Sequence, residues 1–167
     1  MKYINNILIV TKKYTLPSNY DPGVNTTALA AFNEMQNDAY AAGIELNIVS
    51  GYRSYNLQQQ IFAENAAEKG EQEANRSSAK AGQSEHQTGL AFDINSTNQS
   101  FGNTKEGKWL AENCHKYGFI IRYPEGKESV TGYIYEPWHI RYVGNPTATE
   151  IYERGTTLEE YLGFSNQ

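Results

Sequence analysis

Two short stretches constrain this chain more than any others: Ser84-Glu85-His86-Gln87-Thr88-Gly89-Leu90-Ala91-Phe92-Asp93 and, further along, Glu136-Pro137-Trp138-His139. Two histidines, an aspartate and a spare glutamate are the parts of a catalytic metal centre. Such a centre needs three protein ligands, a fourth position for water, and a carboxylate nearby to take that water's proton. His86, Asp93 and His139 are the candidate ligands and Glu136 the candidate base. Imidazole mixed with carboxylate suits zinc, whereas an all-oxygen set would suit calcium or magnesium. One zinc per chain is expected.

The spacing carries its own geometry. The distance from His86 to Asp93 is too long for one helical face. Gly89, followed by the alternation of Leu90 and Phe92 against Ala91 and Asp93, reads as a turn entering a strand that points Asp93 to one side. Glu136 and His139 are three apart and would face opposite sides of a regular strand. Pro137 prevents a regular ladder and holds Glu136 extended, so a bend there is needed to aim both side chains into one cleft. Singly, each residue has an ordinary explanation: Asp93 as a turn or cap, Glu136 as an exposed strand charge. His115, near the end of a helix, is read as an ordinary surface or partly buried histidine. The H-E-x-x-H helix of zincins is absent.

The residues between the candidate ligands supply the rest of the signal. Ser84, Gly89, Ala91 and Trp138 complete a pattern S-x-H-x-x-G-x-A-x-D followed by E-x-W-H. In this the chain resembles the zinc D-alanyl-D-alanine carboxypeptidases of bacterial cell-wall metabolism, the VanY-like group with its L,D-carboxypeptidase and D,D-dipeptidase/carboxypeptidase relatives. The segment Leu16-Pro17-x-x-Tyr20-x-Pro22 and the run Ser50-Gly51-Tyr52-Arg53-Ser54 extend the likeness over roughly residues 15–162. The resemblance implies an α+β fold, a small mostly antiparallel sheet flanked by helices, shared with the hedgehog signalling domain. It also implies that Arg53 meets the scissile carbonyl as negative charge develops, or holds the substrate's terminal carboxylate; a guanidinium fork suits either job. Gln58 and Tyr123 match substrate-contacting residues, and Ser84 matches a serine that binds the terminal carboxylate. A capping Gln, a turn Ser or a packed Tyr explains these three nearly as well. Trp138 is read as a wall of the site.

The remaining chain sets the frame. Its 167 residues suit one globular domain, 1–167, with a core over about 15–162. A net charge of −5 leaves no basic footprint for nucleic acid. The apolar run Ile7 to Val10 is too short for a signal-peptide core or a spanning helix, so no membrane contact by the chain itself is expected. The resembling enzymes work outside the membrane behind an N-terminal anchor. The chain is then an ectodomain excised from such an anchor or, with a native Met1, a cytosolic or otherwise exported member. The single Cys114 is read as a small buried hydrophobe on a helix, not a nucleophile paired with His115.

Local signals place the elements. Ile7 to Val10 reads as a strand. A helix runs from Thr26 or Thr27 as N-cap to Tyr40, carrying Leu29, Phe32, Met35 and Tyr40 on one face, and stops at Gly43. Leu46 to Val49 alternates as a strand. Ser54 caps a helix that carries Leu57, Ile61 and Phe62 toward Gly70. Residues 71–83 read as a polar connection able to act as a flap. Lys108 to Tyr117 is a helix closed by Gly118, Phe119 to Tyr123 and Tyr133 to Val143 form a hairpin, and helical segments at Ala148 to Arg154 and Leu158 to Leu162 finish the chain.

The implied function is zinc-dependent removal of the C-terminal D-alanine from peptidoglycan stem peptides or precursors, which would also remove vancomycin targets. The alternatives are an L,D-carboxypeptidase acting on tetrapeptide stems, a dual D,D-dipeptidase/carboxypeptidase, or a non-catalytic zinc-binding domain. Glu136 argues against the last.

Overall fold

The computed structural model describes residues 1–166. Its elements, in chain order, are β1 (Lys2–Ile4), β2 (Ile7–Ile9), α1 (Thr26–Ala41), β3 (Ile48–Ser50), α2 (Tyr55–Lys69), α3 (Glu71–Ser77) and β4 (Ala91–Ile94). They continue with α4 (Lys105–Asn113), β5 (Phe119–Tyr123), α5 (Glu128–Thr131), β6 (Glu136–Tyr142), α6 (Thr147–Arg154) and α7 (Leu158–Leu162). Short 3₁₀ turns cover Glu85–Thr88, Gln99–Asn103 and Cys114–Tyr117. Among the described residues, β1 and β2 form a separate antiparallel ribbon, and the central sheet runs β3-β4-β6-β5 with every neighbouring pair antiparallel. The expected α+β architecture with a small antiparallel sheet is the one observed.

Strand periodicity decides where the core goes. Phe92 and Ile94 of β4, Ile140 of β6 and Phe119 of β5 are buried together with Phe32, Met35 and Ala39 of α1 and Leu110 of α4. The alternate residues of the same strands, Asp93, His139, Arg141 and Arg122, point to the other face and are buried there as well. A second apolar cluster, including Ile9, Ile120, Ile151 and Leu158, closes the remote end of that face.

Several local expectations shift. The N-cap of α1 is Asn25 rather than Thr26 or Thr27: its Oδ1 accepts from the Ala28 amide at 2.9 Å. The core face of α1 is Ala28, Phe32, Met35 and Ala39, and Tyr40 lies in solvent, because it follows Ala39 by one residue and so points a quarter-turn away. β3 begins at Ile48, not Leu46, although Leu46 is buried. Leu57 is exposed, since α2 lies along the rim of the cleft and buries only Gln58 completely.

Residues 71–77 are not a loose connection but α3. Glu71 and Glu73 lie in its first turn and Arg76 in its last, a charge order that complements the helix dipole. The Arg76 carbonyl accepts from the Ile134 amide at 3.1 Å, and its guanidinium grips Glu128 of α5 at 2.6 and 2.9 Å. The helix expected from Lys108 starts at Lys105, capped by Thr104, and tightens to 3₁₀ at Cys114. The second hairpin strand starts at Glu136 rather than Tyr133, because α5 and its Gly132 cap occupy the connection. β1 was not anticipated; Lys2–Ile4 owes its strand to pairing with β2, not to an apolar pattern of its own.

Phe92 sits at the centre of the core, its ring 5.9 Å from Phe32 and 6.0 Å from Phe119. Phe92→Ala is expected to lower the unfolding free energy by about 3–5 kcal/mol, measured by urea denaturation. A loss below about 1 kcal/mol would mean that the sheet does not depend on this contact.

Candidate metal centre

The two motifs meet because β4 and β6 are neighbours and their register sets Asp93 opposite His139. His86 arrives from outside the sheet. Ser84 caps the 3₁₀ turn Glu85–Thr88, its Oγ accepting from the His86 amide at 3.2 Å, and Gly89 ends that turn with φ +72°. A side chain at Gly89 would run into the Gly23 carbonyl oxygen, so glycine is required both for the left-handed backbone and for the close approach.

The bend that Glu136 and His139 require is present. β5 and β6 pair Ile121 with Ile140 and then Tyr123 with Glu136. Two residues of β5 therefore span four of β6, a bulge that breaks the alternation. Pro137, which has no amide proton to offer a ladder, lies inside the extra stretch. Glu136 and His139 end on the same side, with Glu136 Oε2 at 3.5 Å from His139 Nδ1.

The ligand atoms of His86, Asp93 and His139 lie within 4.8 Å of one another and all three residues are buried. Each imidazole is held by its far nitrogen. His86 Nδ1 donates to the Gly51 carbonyl at 2.7 Å, and His139 Nε2 donates to Glu85 Oε2 at 3.2 Å. The near nitrogens, His86 Nε2 and His139 Nδ1, then carry lone pairs and face Asp93 Oδ1 at 3.1 and 3.5 Å. Three acceptors pointed at one another repel unless a cation lies between them, and a borderline dication with N and O ligands fits that donor set. The buried His139 is held below its usual pKa by desolvation, against the hydrogen bond to Glu85, and so stays neutral and able to ligate. Burial pushes the Asp93 carboxyl up, yet its basic surroundings, the Arg53 guanidinium among them, hold it below the usual carboxylate range.

Glu136 is the opposite case. Burial, and then the nearby Asp93 charge, hold its carboxyl well above the usual range in spite of Arg53. A carboxylate with raised proton affinity beside a prospective metal is suited to proton transfer.

The expected supporting residues line one cleft of about 560 Å³ with the three ligands and Glu136: Arg53, Gln58, Ser84, Tyr123 and Trp138. The Arg53 amide donates to the His86 carbonyl at 3.1 Å, and its Nη2 lies 3.7 Å from Asp93 Oδ2. Its Nε is buried without a protein partner, a donor left free at the cleft. Gln58 is committed on both sides of its amide: Oε1 accepts from Arg53 Nη1 at 2.9 Å, and Nε2 donates to the Ala79 carbonyl at 2.7 Å. Its visible work is to hold the guanidinium. The Tyr123 ring stands 4.9 Å from the His139 ring, and Trp138 belongs to the core cluster while walling the cleft. His115 lies elsewhere, stacked on Tyr152, and Cys114 is a buried free thiol.

Sequence reasoning overlooked the floor of the site. Glu85 Oε1 accepts from Arg122 Nε at 2.8 Å and from Arg141 Nη1 at 2.9 Å, and Arg122 continues to Glu159 of α7 at 2.5 Å. All four of these side chains are almost completely buried. One signal was available: Arg141 follows His139 by two positions in a strand, so it shares the ligand's face, and a buried guanidinium demands a carboxylate.

Comparison with known proteins agrees with the geometry. A family model for VanY D-alanyl-D-alanine carboxypeptidases matches residues 22–145. YodJ of Bacillus subtilis is 44% identical, over 95% of this chain and 67% of its own length. A D-alanyl-D-alanine carboxypeptidase of Enterococcus faecium is also 44% identical, over 80% of this chain but only 42% of its own. The solved LD-carboxypeptidase LdcB superposes with a TM-score of 0.88 at 40% identity, covering 99% of this chain and 94% of that one. A vancomycin-resistance D,D-pentapeptidase VanY solved with Zn(II) gives 0.84 at 37% identity, over 93% and 97%. On these spans and identities, the chain belongs to the VanY family of D-alanyl-D-alanine carboxypeptidases.

Proposed function

We propose that this chain is a single zinc carboxypeptidase domain that removes the C-terminal D-alanine from peptidoglycan stem peptides or their precursors. The observation that carries the reading is the convergence of two imidazole lone pairs and Asp93 on one point, with the proton-avid Glu136 beside them and the unpartnered Nε of Arg53 at the same cleft. The Zn(II) complex of a 37% identical VanY supports the choice of metal. Bound by His86, Asp93 and His139, zinc would acidify a water and polarise the scissile carbonyl. Glu136 takes the proton of the attacking water and returns it to the leaving amine of D-alanine. Arg53, held by Gln58, offers its fork to the negative charge that develops on the carbonyl oxygen. Tyr123 and Trp138 wall the cleft and exclude water. A dication and Arg53 together exceed the charge of Asp93 and Glu136 by one, which suits a substrate ending in a single free carboxylate, with Ser84 as a further donor to it.

A second reading keeps the chemistry and changes the bond. The likeness to LdcB, over almost the whole chain, favours an L,D-carboxypeptidase trimming tetrapeptide stems. Both substrates belong to the metabolism of the bacterial cell wall. Among the described residues, no helix is long and apolar enough to cross a membrane.

Pentapeptide, tetrapeptide and free D-Ala-D-Ala, assayed side by side for released D-alanine, test the proposal. Release from the pentapeptide is expected. Preference for the tetrapeptide would establish the L,D reading, and cleavage of the free dipeptide a dual enzyme. Silence on all three with zinc bound would leave only a binding domain.

Glu136→Ala is expected to retain about one zinc per chain, because Glu136 lies outside the ligand set, and to lose nearly all hydrolysis. Metal analysis beside steady-state rates checks this, and near-wild-type turnover would mean that another group activates the water. For Arg53→Ala, kcat and kcat/KM should fall together by about a hundredfold with KM little changed, as expected of a contact made only in the transition state. A raised KM at constant kcat would instead assign Arg53 to the terminal carboxylate.

A further inference from the structure

Glu85 has no part in the proposed proton transfers, yet it lies at the centre of the buried charges and touches one of the proposed ligands, His139. Its two oxygens have different duties. Oε1 is saturated by the guanidiniums of Arg122 and Arg141, while Oε2 meets only the imidazole Nε2 of His139. The guanidiniums are fixed in turn: Arg122 by Glu159, which also accepts from Asn166, and Arg141 by the Leu8 and Tyr142 carbonyls at 2.8 and 3.0 Å. The carboxylate is thus clamped from β5, β6, α7 and β2, with one oxygen aimed at one ring nitrogen.

We infer that Glu85 is a positioning residue for the metal: it accepts the Nε2 proton of His139 and so commits that ring to the tautomer whose Nδ1 lone pair faces Asp93. The inference rests on the zinc reading above, but it concerns a proton that the protein fixes before any metal arrives. A neutral imidazole carries one proton on two nitrogens, and whichever nitrogen finds an acceptor keeps it. Glu85 Oε2 is that acceptor for Nε2, while the groups nearest Nδ1, Asp93 Oδ1 and Glu136 Oε2, are both at 3.5 Å.

The decisive variant is Glu85→Gln. Guanidinium groups only donate, so the new amide must turn its oxygen toward Arg122 and Arg141 and its NH₂ toward His139. That NH₂ donates to Nε2 and drives the ring proton to Nδ1, the wrong tautomer for ligation. Zinc affinity of the chelator-stripped variant, measured against a chromophoric chelator, is expected to fall ten- to a hundredfold. Histidine ¹⁵N NMR of the metal-free protein at alkaline pH should show His139 protonated on Nε2 in the wild type and on Nδ1 in the variant. Glu159→Gln, which disturbs the same charge group without touching His139, should lower the melting temperature and leave zinc affinity and tautomer unchanged. Wild-type zinc affinity in Glu85→Gln would overturn the inference and leave Glu85 a counter-ion only. Should Glu85→Gln fail to fold, the wild-type spectrum decides alone: a proton on Nδ1 of His139 sinks the proposal. Absence of zinc binding by the wild-type protein would refute the metal reading, while the tautomer would still judge Glu85.

Discussion

The antiparallel pairing of Asp93 with His139 is the contact on which the rest of the structure depends. Side chains alternate along a strand, so fixing this one pair sends Phe92, Ile94 and Ile140 into the core and Asp93, His139 and Arg141 to the opposite face. A slip of one residue would exchange the two sets, placing carboxylate and imidazole among phenylalanines. The apolar core therefore enforces the register that assembles the ligands. His86 and Arg53 come from outside the strands, and within the sheet Glu136 departs from this logic. Glu136 reaches the face of His139 because β6 carries two extra residues against β5, and that departure occurs at Pro137, where a ladder bond could not have formed.

Burying ionisable groups so densely is costly unless every charge finds its opposite. Below the ligands the balance is closed: Glu85 and Glu159 against Arg122 and Arg141, each within hydrogen-bond distance of its partner. Above them it is left open. Asp93 and Glu136 face one guanidinium, Arg53, whose Nε lacks a partner, and burial, followed by the Asp93 charge, drives Glu136 toward its protonated form. The contrast separates scaffold from site. The closed layer fixes rings and backbone; the open layer stores unmet demand for a cation and for substrate oxygen.

Much of this was legible in the sequence, for identifiable reasons. The candidate ligand cluster was readable because metal chemistry restricts residue type and because Gly89 answers to sterics at the turn. The sheet strands β4 and β5 followed from alternation and flanking glycines. Less legible were features set by partners distant in the chain. β1 exists only because β2 pairs with it. Tyr40 reads as apolar, but a single-residue phase error decides whether it is core or solvent. Residues 71–77 carry a single apolar side chain, Ala74, so no periodicity announced α3, which is tied to the rest of the chain by the backbone bond from Ile134. Glu85 was hidden for a different reason. Its position between Ser84 and His86 is plain, but its meaning depends on Arg122 and Arg141, brought to it by strands far along the chain.

The cleft unites a constrained floor with unconstrained walls. The floor belongs to the sheet and its buried charges, where any change of register or charge is felt by the candidate ligands. One wall is built from α2 and α3, with Asn65, Lys69, Ser77 and Ser78, and the other from the segment Thr97 to Gln99. α2 buries little apolar surface, and the exposed Arg76–Glu128 pair contributes little to stability in water. These walls can therefore change side chains with small cost to the core. The candidate metal ligands are thus tied to the sheet, whereas the walls of the cleft are surfaces that the core does not fix. A fixed floor under variable walls suits a scaffold that superposes on both an LD-carboxypeptidase and a D,D-pentapeptidase at closely similar TM-scores.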